Sequence, residues 1–493
     1  MNIKRMPGFT RRFFLKSSAA VFAGAFTGSF VMHEANAVAF KEFHLRAGRS
    51  PITLVPAPAG ATNAWCFNGS VPGPEIRVRQ GERIRVNVKN GLNEETTVHW
   101  HGMRVPNAMD GVPHLTQAPI RSGGTFTYEF DALDAGTFWY HPHQRSFEQV
   151  GRGLYGPLIV EEPNPIRVDR DLTWVLDDWR LTKGGQISED FGNLHDMSHN
   201  GRIGNTVTIN GQVPDTLYVR RGERIRLRLI NAANARIFGI DFGTHKPVIV
   251  AIDGQPVAPH IPEDGLLVLG PAMRMDVVID MVGDVNQRYS LTDPFYQGLE
   301  YRLVDLVYAD TPLRNRIPDW DMQLSANPLP EPDLNDAERH EVTFNGGMMG
   351  GMVMQEMGGS MGHEPMGAMG SMRGMMHSGK IWFINGVAAE GHIMEPMLTL
   401  RHGQSHIISM TNATAWHHPI HFHGHSFRVI SRNGNPTAHK EWQDTVLMVP
   451  KERVEIAFVA DNPGDWMFHC HILEHQTAGM MGVIRVNQSG ERT

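Results

Sequence analysis

The 493-residue chain predicts an all-β protein of three successive Greek-key β-sandwich domains, and three observations predict it. One strand-turn-strand segment recurs three times, its strands alternate apolar and polar residues, and the length suits about three domains of roughly 100–200 residues each. The first copy is FNGSVPGPEIRVRQGERIRVNVKN, Phe67 to Asn90. The second is INGQVPDTLYVRRGERIRLRLIN, Ile209 to Asn231, and the more divergent third runs from Ile384 to Asn412. Each opens on an Asn-Gly turn and holds two alternating strands about a glycine-centred turn. In RIRVNVKN, Ile84, Val86 and Val88 point to one face, and Arg83, Arg85, Asn87 and Lys89 to the other. Copies this far apart mean duplicated domains and not a stacked solenoid. The domains are read at 38–162, 163–320 and 335–493, each a sandwich, with the Pro-rich stretch Ile317 to Asp336 linking the second to the third.

Ahead of them, residues 1–37 read as an export signal. Paired Arg11 and Arg12 precede an apolar run, Ala19 to Met32, and a small-residue ANA site at Ala35 to Ala37. The pattern resembles a twin-arginine signal, which exports folded proteins and places the mature chain in the periplasm. A membrane anchor fits less well, because the run falls short of the ~20 residues a spanning helix needs and contains Gly24 and Gly28. No later segment is apolar and long enough to span. Cleavage near Ala37 removes five basic residues and one acidic one, taking the net charge from −7 to −11. That charge, a pI near 6.4 and the lack of any later Lys/Arg block argue against a nucleic-acid partner. The mature chain is expected to be a monomer.

The chemistry lies in the first and third domains. His99 and His101 stand in HWHG, His141 and His143 in WYHPH, His418, His421 and His423 in HHPIHFHGH. The stretch WMFHCHILEHQTAGMM adds His469, Cys470, His471, His475 and Met480. One histidine alone is more often structural than a ligand; four dense clusters are not explained that way. On an extended strand, residues i and i+2 share a side and i+1 faces the other. His469 and His471 therefore face one way and Cys470 the other, so a single strand contacts two metal sites. Cys470, His418 and His475 with Met480 sulfur form the two-histidine, one-thiolate, weak-thioether set of a blue-copper site. Imidazole suits copper and zinc alike on the other side. Zinc carries no electrons and would leave the thiolate site without purpose, so copper is the metal expected. The other cysteine, Cys66, reads as a small buried residue on a strand.

The series H-x-H, H-x-H, H-x-x-H-x-H and H-C-H-x-x-x-H-x-x-x-x-M resembles that of the multicopper oxidases over nearly the whole mature chain. The resemblance implies cupredoxin-like domains and four coppers. His418, Cys470, His475 and Met480 would hold a type 1 copper, and His99 and His421 a type 2 copper. His101, His141, His143, His423, His469 and His471 would hold a type 3 pair. It further implies that electrons enter at the type 1 site and that dioxygen is reduced to water at a trinuclear cluster between the outer domains. Asp110, in NAMDGVP, matches the family's acid near that cluster; a turn-forming Asp before Gly111 is the plainer reading. Copper-efflux members carry a glutamate directly after the second type 1 histidine, where Gln476 stands here, and Glu474 is the expected substitute acid. Those members also have a methionine and an acid where this chain has Trp416 and Thr414. No ligand role is assigned to His402, His406, His417 or His425.

Residues 346–377 hold eleven methionines with His363 and His377 in a Gly-rich stretch that cannot build a packed core. A plain tether has no need of oxidisable thioethers, and soft sulfur selects Cu(I). The expected activity is oxidation of Cu(I) in copper detoxification. The alternatives are a laccase-like oxidase of phenols or aromatic amines, with a small organic reductant, and a copper-sequestering protein without catalysis.

Overall fold

The Asn-Gly pairs that open the three repeats are tight turns with both residues left-handed. Their φ angles are 54° and 81° at Asn68 and Gly69, 52° and 72° at Asn210 and Gly211, and 51° and 77° at Asn385 and Gly386. Asn and Gly are the residues that tolerate such a pair. These turns belong to a computed structural model describing residues 40–56, 60–357, 379–390 and 395–488. The export signal at 1–37 and the methionine tract beyond residue 357, with His363 and His377, lie outside the described residues.

The two strands of each repeat do not pair with one another. Ile76–Arg79 joins a sheet with Gly156–Glu161, Gly136–His141 and His99–His101. Arg83–Asn90 joins the opposing sheet of Thr62–Phe67, Phe40–Ile52 and Thr125–Asp131. The glycine-centred turn thus carries the chain across a sandwich from sheet to sheet. The second and third copies do the same, Thr216–Val219 and Arg224–Asn231 entering different sheets, as do Leu398–Leu400 and Ser405–Asn412. The six sheets form three successive sandwiches, and among the described residues no strand ladder crosses between them.

Period-two alternation sets each core. Ile84, Val86 and Val88 are buried with Phe130, Phe138 and Leu158; Ile225, Leu227 and Leu229 hold the same place in the second core. A further apolar cluster, including Cys66, Trp139, Tyr155, Trp179, Ile230 and Leu473, draws on all three sandwiches, and the chain from Phe40 onward is one compact unit. Cys66 is buried on Thr62–Phe67 and forms no disulfide. The Pro-rich linker has no helix or strand over 317–336 but is tied down. Arg224 binds the carbonyls of Pro318 and Trp320, and Asn327 bonds to Ala135 and Gln255.

Within the methionine tract, expected to build no packed core, Gly350–Glu356 forms a helix. Unbranched Met and Gln suit a helix, and buried Val353 anchors it while Met349 and Met352 stay 54% and 64% exposed. No helix among the described residues is long and apolar enough to cross a membrane.

Candidate metal centre

The strand Gly464–Cys470 runs antiparallel to His418–Phe422, with Cys470 opposite Ile420 and His469 opposite His421. Both strands alternate, so both present ligands to two sides. On one side Cys470 Sγ lies 3.4 Å from His418 Nδ1 and 3.8 Å from His475 Nδ1, and those nitrogens are 3.2 Å apart. The point equidistant from the three atoms is about 2.0 Å from each, the length of a first-row metal bond to imidazole and a few tenths of an ångström short of one to thiolate. Met480 is fully buried beside them; its N–H donates to the His475 carbonyl, and its carbonyl accepts from Cys470 N–H. Each imidazole is held from behind. Thr414 Oγ1 lies 2.9 Å from His418 Nε2, and His475 Nε2 is 2.6 Å from the His199 carbonyl. Burial pushes the Cys470 thiol upward and His475 down to about 3, so the imidazole is neutral and the thiol gives up its proton only to a metal.

On the other side eight imidazoles converge. His99–His101 pairs with Gly136–His141 so that His99 stands opposite His141, and the third sandwich brings His421, His423, His469 and His471 against them. Ligand nitrogens of His101, His141 and His471 lie within 4.8 Å of one another, as do those of His143, His423 and His469, and those of His99, His101 and His421. The nitrogens His99 Nε2, His101 Nδ1, His143 Nε2, His421 Nε2 and His471 Nδ1 are buried without a hydrogen-bond partner. A protein does not leave five buried nitrogens orphaned without a use for their lone pairs. Burial, and then the neighbouring rings, hold His141, His143, His423, His469 and His471 well below the usual histidine range. Neutral imidazoles so grouped could hold a metal, and the donor set fits copper.

Asp110 is fully buried within this group. Its carboxylate lies 2.9 Å from His423 Nδ1 and 3.1 Å from His99 Nδ1, and its carbonyl accepts from His99 Nδ1 at 2.8 Å. Glu474 is not brought to the cluster. On the short helix Leu473–Thr477 it points toward the second sandwich, accepting from Arg202 N–H and Asn234 Nδ2, both at 3.1 Å. Burial raises it to about 7. Gln476 faces the cluster instead, with Nε2 3.4 Å from His143 Nδ1 and Oε1 accepting from Ser146. It lines a cavity of about 290 Å³ that runs between half-exposed Arg145 and buried His143.

Multicopper oxidase family models match residues 52–165, 170–309 and 368–490, one for each sandwich. The chain is 32% identical over 462 residues to the multicopper oxidase MmcO of Mycobacterium tuberculosis, covering 87% of this chain and 85% of that protein. It belongs to the multicopper oxidase family. It is also similar to a copper resistance protein A homolog of Pseudomonas syringae pv. tomato, 26% identical over 91% of this chain and 92% of the relative. A crystal structure of a multi-copper oxidase from Pseudomonas thermotolerans superposes with a TM-score of 0.79 and 33% identity, covering 91% of this chain and all of the other. The protein is thus a copper-dependent oxidoreductase that uses dioxygen.

In this multicopper oxidase the second sandwich, which offers no ligand, still reaches the cluster. Arg274 is fully buried and grips Asp444 with two hydrogen bonds, 2.8 and 2.5 Å. Asp444 Oδ1 lies 3.2 Å from His101 Nε2, and its carbonyl accepts from His421 Nδ1 at 2.8 Å. Asp253 completes the group, accepting from the backbone N–H of Arg274, Asp444 and Thr445. Burial works against the Asp444 charge, but Arg274 outweighs it and keeps the carboxyl below its usual range. Burial and the Asp444 charge push Asp253 up to about 7. Gly102, directly after His101, makes room: with φ of 83°, a Cβ there would lie 2.2 Å from Arg274 Nη2 and 2.5 Å from Asp444 Oδ2. Sequence reading missed Arg274, Asp253 and Asp444. The one available hint was the glycine of HWHG.

Proposed function

We propose that this multicopper oxidase oxidises Cu(I) outside the cytoplasm after folded export, holding four coppers per chain. His418, Cys470, His475 and Met480 hold the type 1 ion, His99 and His421 the type 2 ion, and the other six histidines the type 3 pair. Copper in these places supplies one-electron transfer at the thiolate and four-electron reduction of dioxygen to water at the cluster. The chain does the rest. Cys470 and its flanking peptide bonds give a covalent route between the two sides of one strand. Asp110, against His423 and His99, fixes two rings and can pass a proton to the cluster. The cavity past Gln476 admits dioxygen and water to His143. Trp382, fully buried, lies tilted over His475 with ring centroids 4.2 Å apart and helps keep that imidazole from solvent.

The observation that carries Cu(I) as substrate is where the methionines begin. Met348 N–H donates to the Ser198 carbonyl, one residue from the His199 carbonyl that meets His475, and Trp416 Nε1 donates to Met348. Exposed Met349 and Met352 therefore follow directly on a segment whose backbone is anchored next to the residue that meets His475. Thr414 and Trp416 serve the His418 ring and this anchor, so capture of Cu(I) falls to the methionines. Oxygen uptake by the copper-loaded protein, with Cu(I) and with a phenol, before and after removal of residues 358–377, is the test. Cu(I) turnover should lead and fall on removal. Faster phenol turnover in both forms would make the enzyme laccase-like, and no uptake with any reductant would make it a copper store.

A further inference from the structure

On the third sandwich, away from the copper ligands, the inner faces of two neighbouring strands end in metal-binding residue types. Glu338–Gly346 and Ser405–Asn412 pair in parallel, with Glu338 opposite His406. Farther along the same faces Val342, Phe344, Ile408 and Met410 are fully buried core residues. Period two would continue that apolar face through positions 338, 340 and 406. Glu, His and His stand there instead.

His340 Nε2 lies 3.1 Å from His406 Nδ1, and Glu338 Oε2 lies 3.9 Å from the same His406 nitrogen. His406 is fully buried, His340 half-buried and Glu338 exposed, so the group opens to solvent on the carboxylate side. Two imidazole nitrogens 3.1 Å apart subtend about 100° at bonds of roughly 2.0–2.1 Å, close to a tetrahedral angle. A hydrogen bond between the rings would account for their distance. It would give no reason for a carboxylate at the third position, nor for polar residues where the alternation calls for apolar ones. Burial, and then the adjacent ring, lower His406 to about 4, and burial lowers His340. Both rings are neutral near pH 7, with lone pairs to offer.

We propose that Glu338, His340 and His406 bind one divalent first-row cation, Zn²⁺ or Cu²⁺, at a site separate from the copper centres. Two imidazoles and a carboxylate suit both ions, and water completes the shell on the exposed side. The proposal does not depend on which reductant the oxidase uses.

Zn²⁺ is the probe, because it does no redox chemistry. It is titrated calorimetrically into the full-length protein holding four coppers per chain, stripped of more weakly held metal by brief chelation, beside His340→Ala and Glu338→Gln. Both changes are outside the fully buried core, and retained copper content certifies the fold. One Zn²⁺ equivalent of the native protein should vanish, or weaken by more than about tenfold, in His340→Ala and weaken less in Glu338→Gln. Oxygen uptake with saturating reductant should be unchanged in both. Equal stoichiometry and affinity in the native protein and His340→Ala would overturn the site, as would a native protein with no saturable Zn²⁺ binding.

Discussion

Two strands of this oxidase open on the same Arg-Ile-Arg and close on the same Asn, yet have opposite surroundings. RIRVNVKN, Arg83–Asn90, lies in the first sandwich with its polar face partly open; Arg85 is 34% exposed and pairs with Glu129 at 2.6 Å. RIRLRLIN, Arg224–Asn231, is buried at every position. Its Arg226, the counterpart of Arg85, is 1% exposed and held by Glu162 and Asp276 at 2.6 and 2.7 Å. Both strands alternate over their first six residues, but the second sandwich turns its charged face inward against the first. Cluster imidazoles such as His143, His423 and His471 are a third case, buried without an arginine-like ion pair, and they answer by staying neutral. The lesson is that alternation places a side chain on a face, while the neighbouring domain decides whether that face is wet.

The largest expected effect probes the third case. Because cluster histidines such as His143, His423 and His471 titrate below their unfolded value near 6.5, the unfolded chain binds more protons below that pH. Stability of the copper-free protein is full above about pH 7 and falls as pH drops through 6.5 toward the folded values. Each excess proton costs about 1.4 kcal/mol per pH unit, so several histidines together cost several kcal/mol by about pH 5. Urea midpoints at pH 7.5, 6.5 and 5.5 should show this, with copper-loaded protein resisting.

Next come the buried pairs. Arg274→Met strands Asp444 and Asp253 and should cost about 3–5 kcal/mol. Loosening His101 and His421 should also cut turnover by about 10–100-fold, with an altered type 2 EPR signal. Arg226→Met should cost about the same in stability and leave that signal unchanged. The smallest effect belongs to Arg85→Met, at about 0–1 kcal/mol, read from the same denaturation curves. Equal costs at Arg85 and Arg226 would break the comparison.

Much of the site was legible because its signal is local. Two-residue spacing put His99 with His101 and split Cys470 from His469 and His471, and the strands show that division. The clamp was not legible, since Arg274 and Asp444 are 170 residues apart and meet only when two sandwiches dock. Glu474 and Gln476 show the same limit. Both flank His475, but a helical turn swings Gln476 to His143 and Glu474 away to Arg202. The tract helix at Gly350–Glu356 was hidden because glycine-rich composition outweighed the short Met and Gln run within it.

The central claim is that one strand joins a thiolate metal site to a histidine cluster on its other side. The copper content and visible spectrum of the native protein and of Cys470→Ser test it most directly. The account predicts four coppers and an intense visible thiolate band in the native protein. It predicts three coppers, no such band and no steady turnover in Cys470→Ser, with the cluster EPR signal kept. A Cys470→Ser protein that keeps four coppers and steady oxygen uptake, or one that loses the cluster signal along with the band, would contradict it.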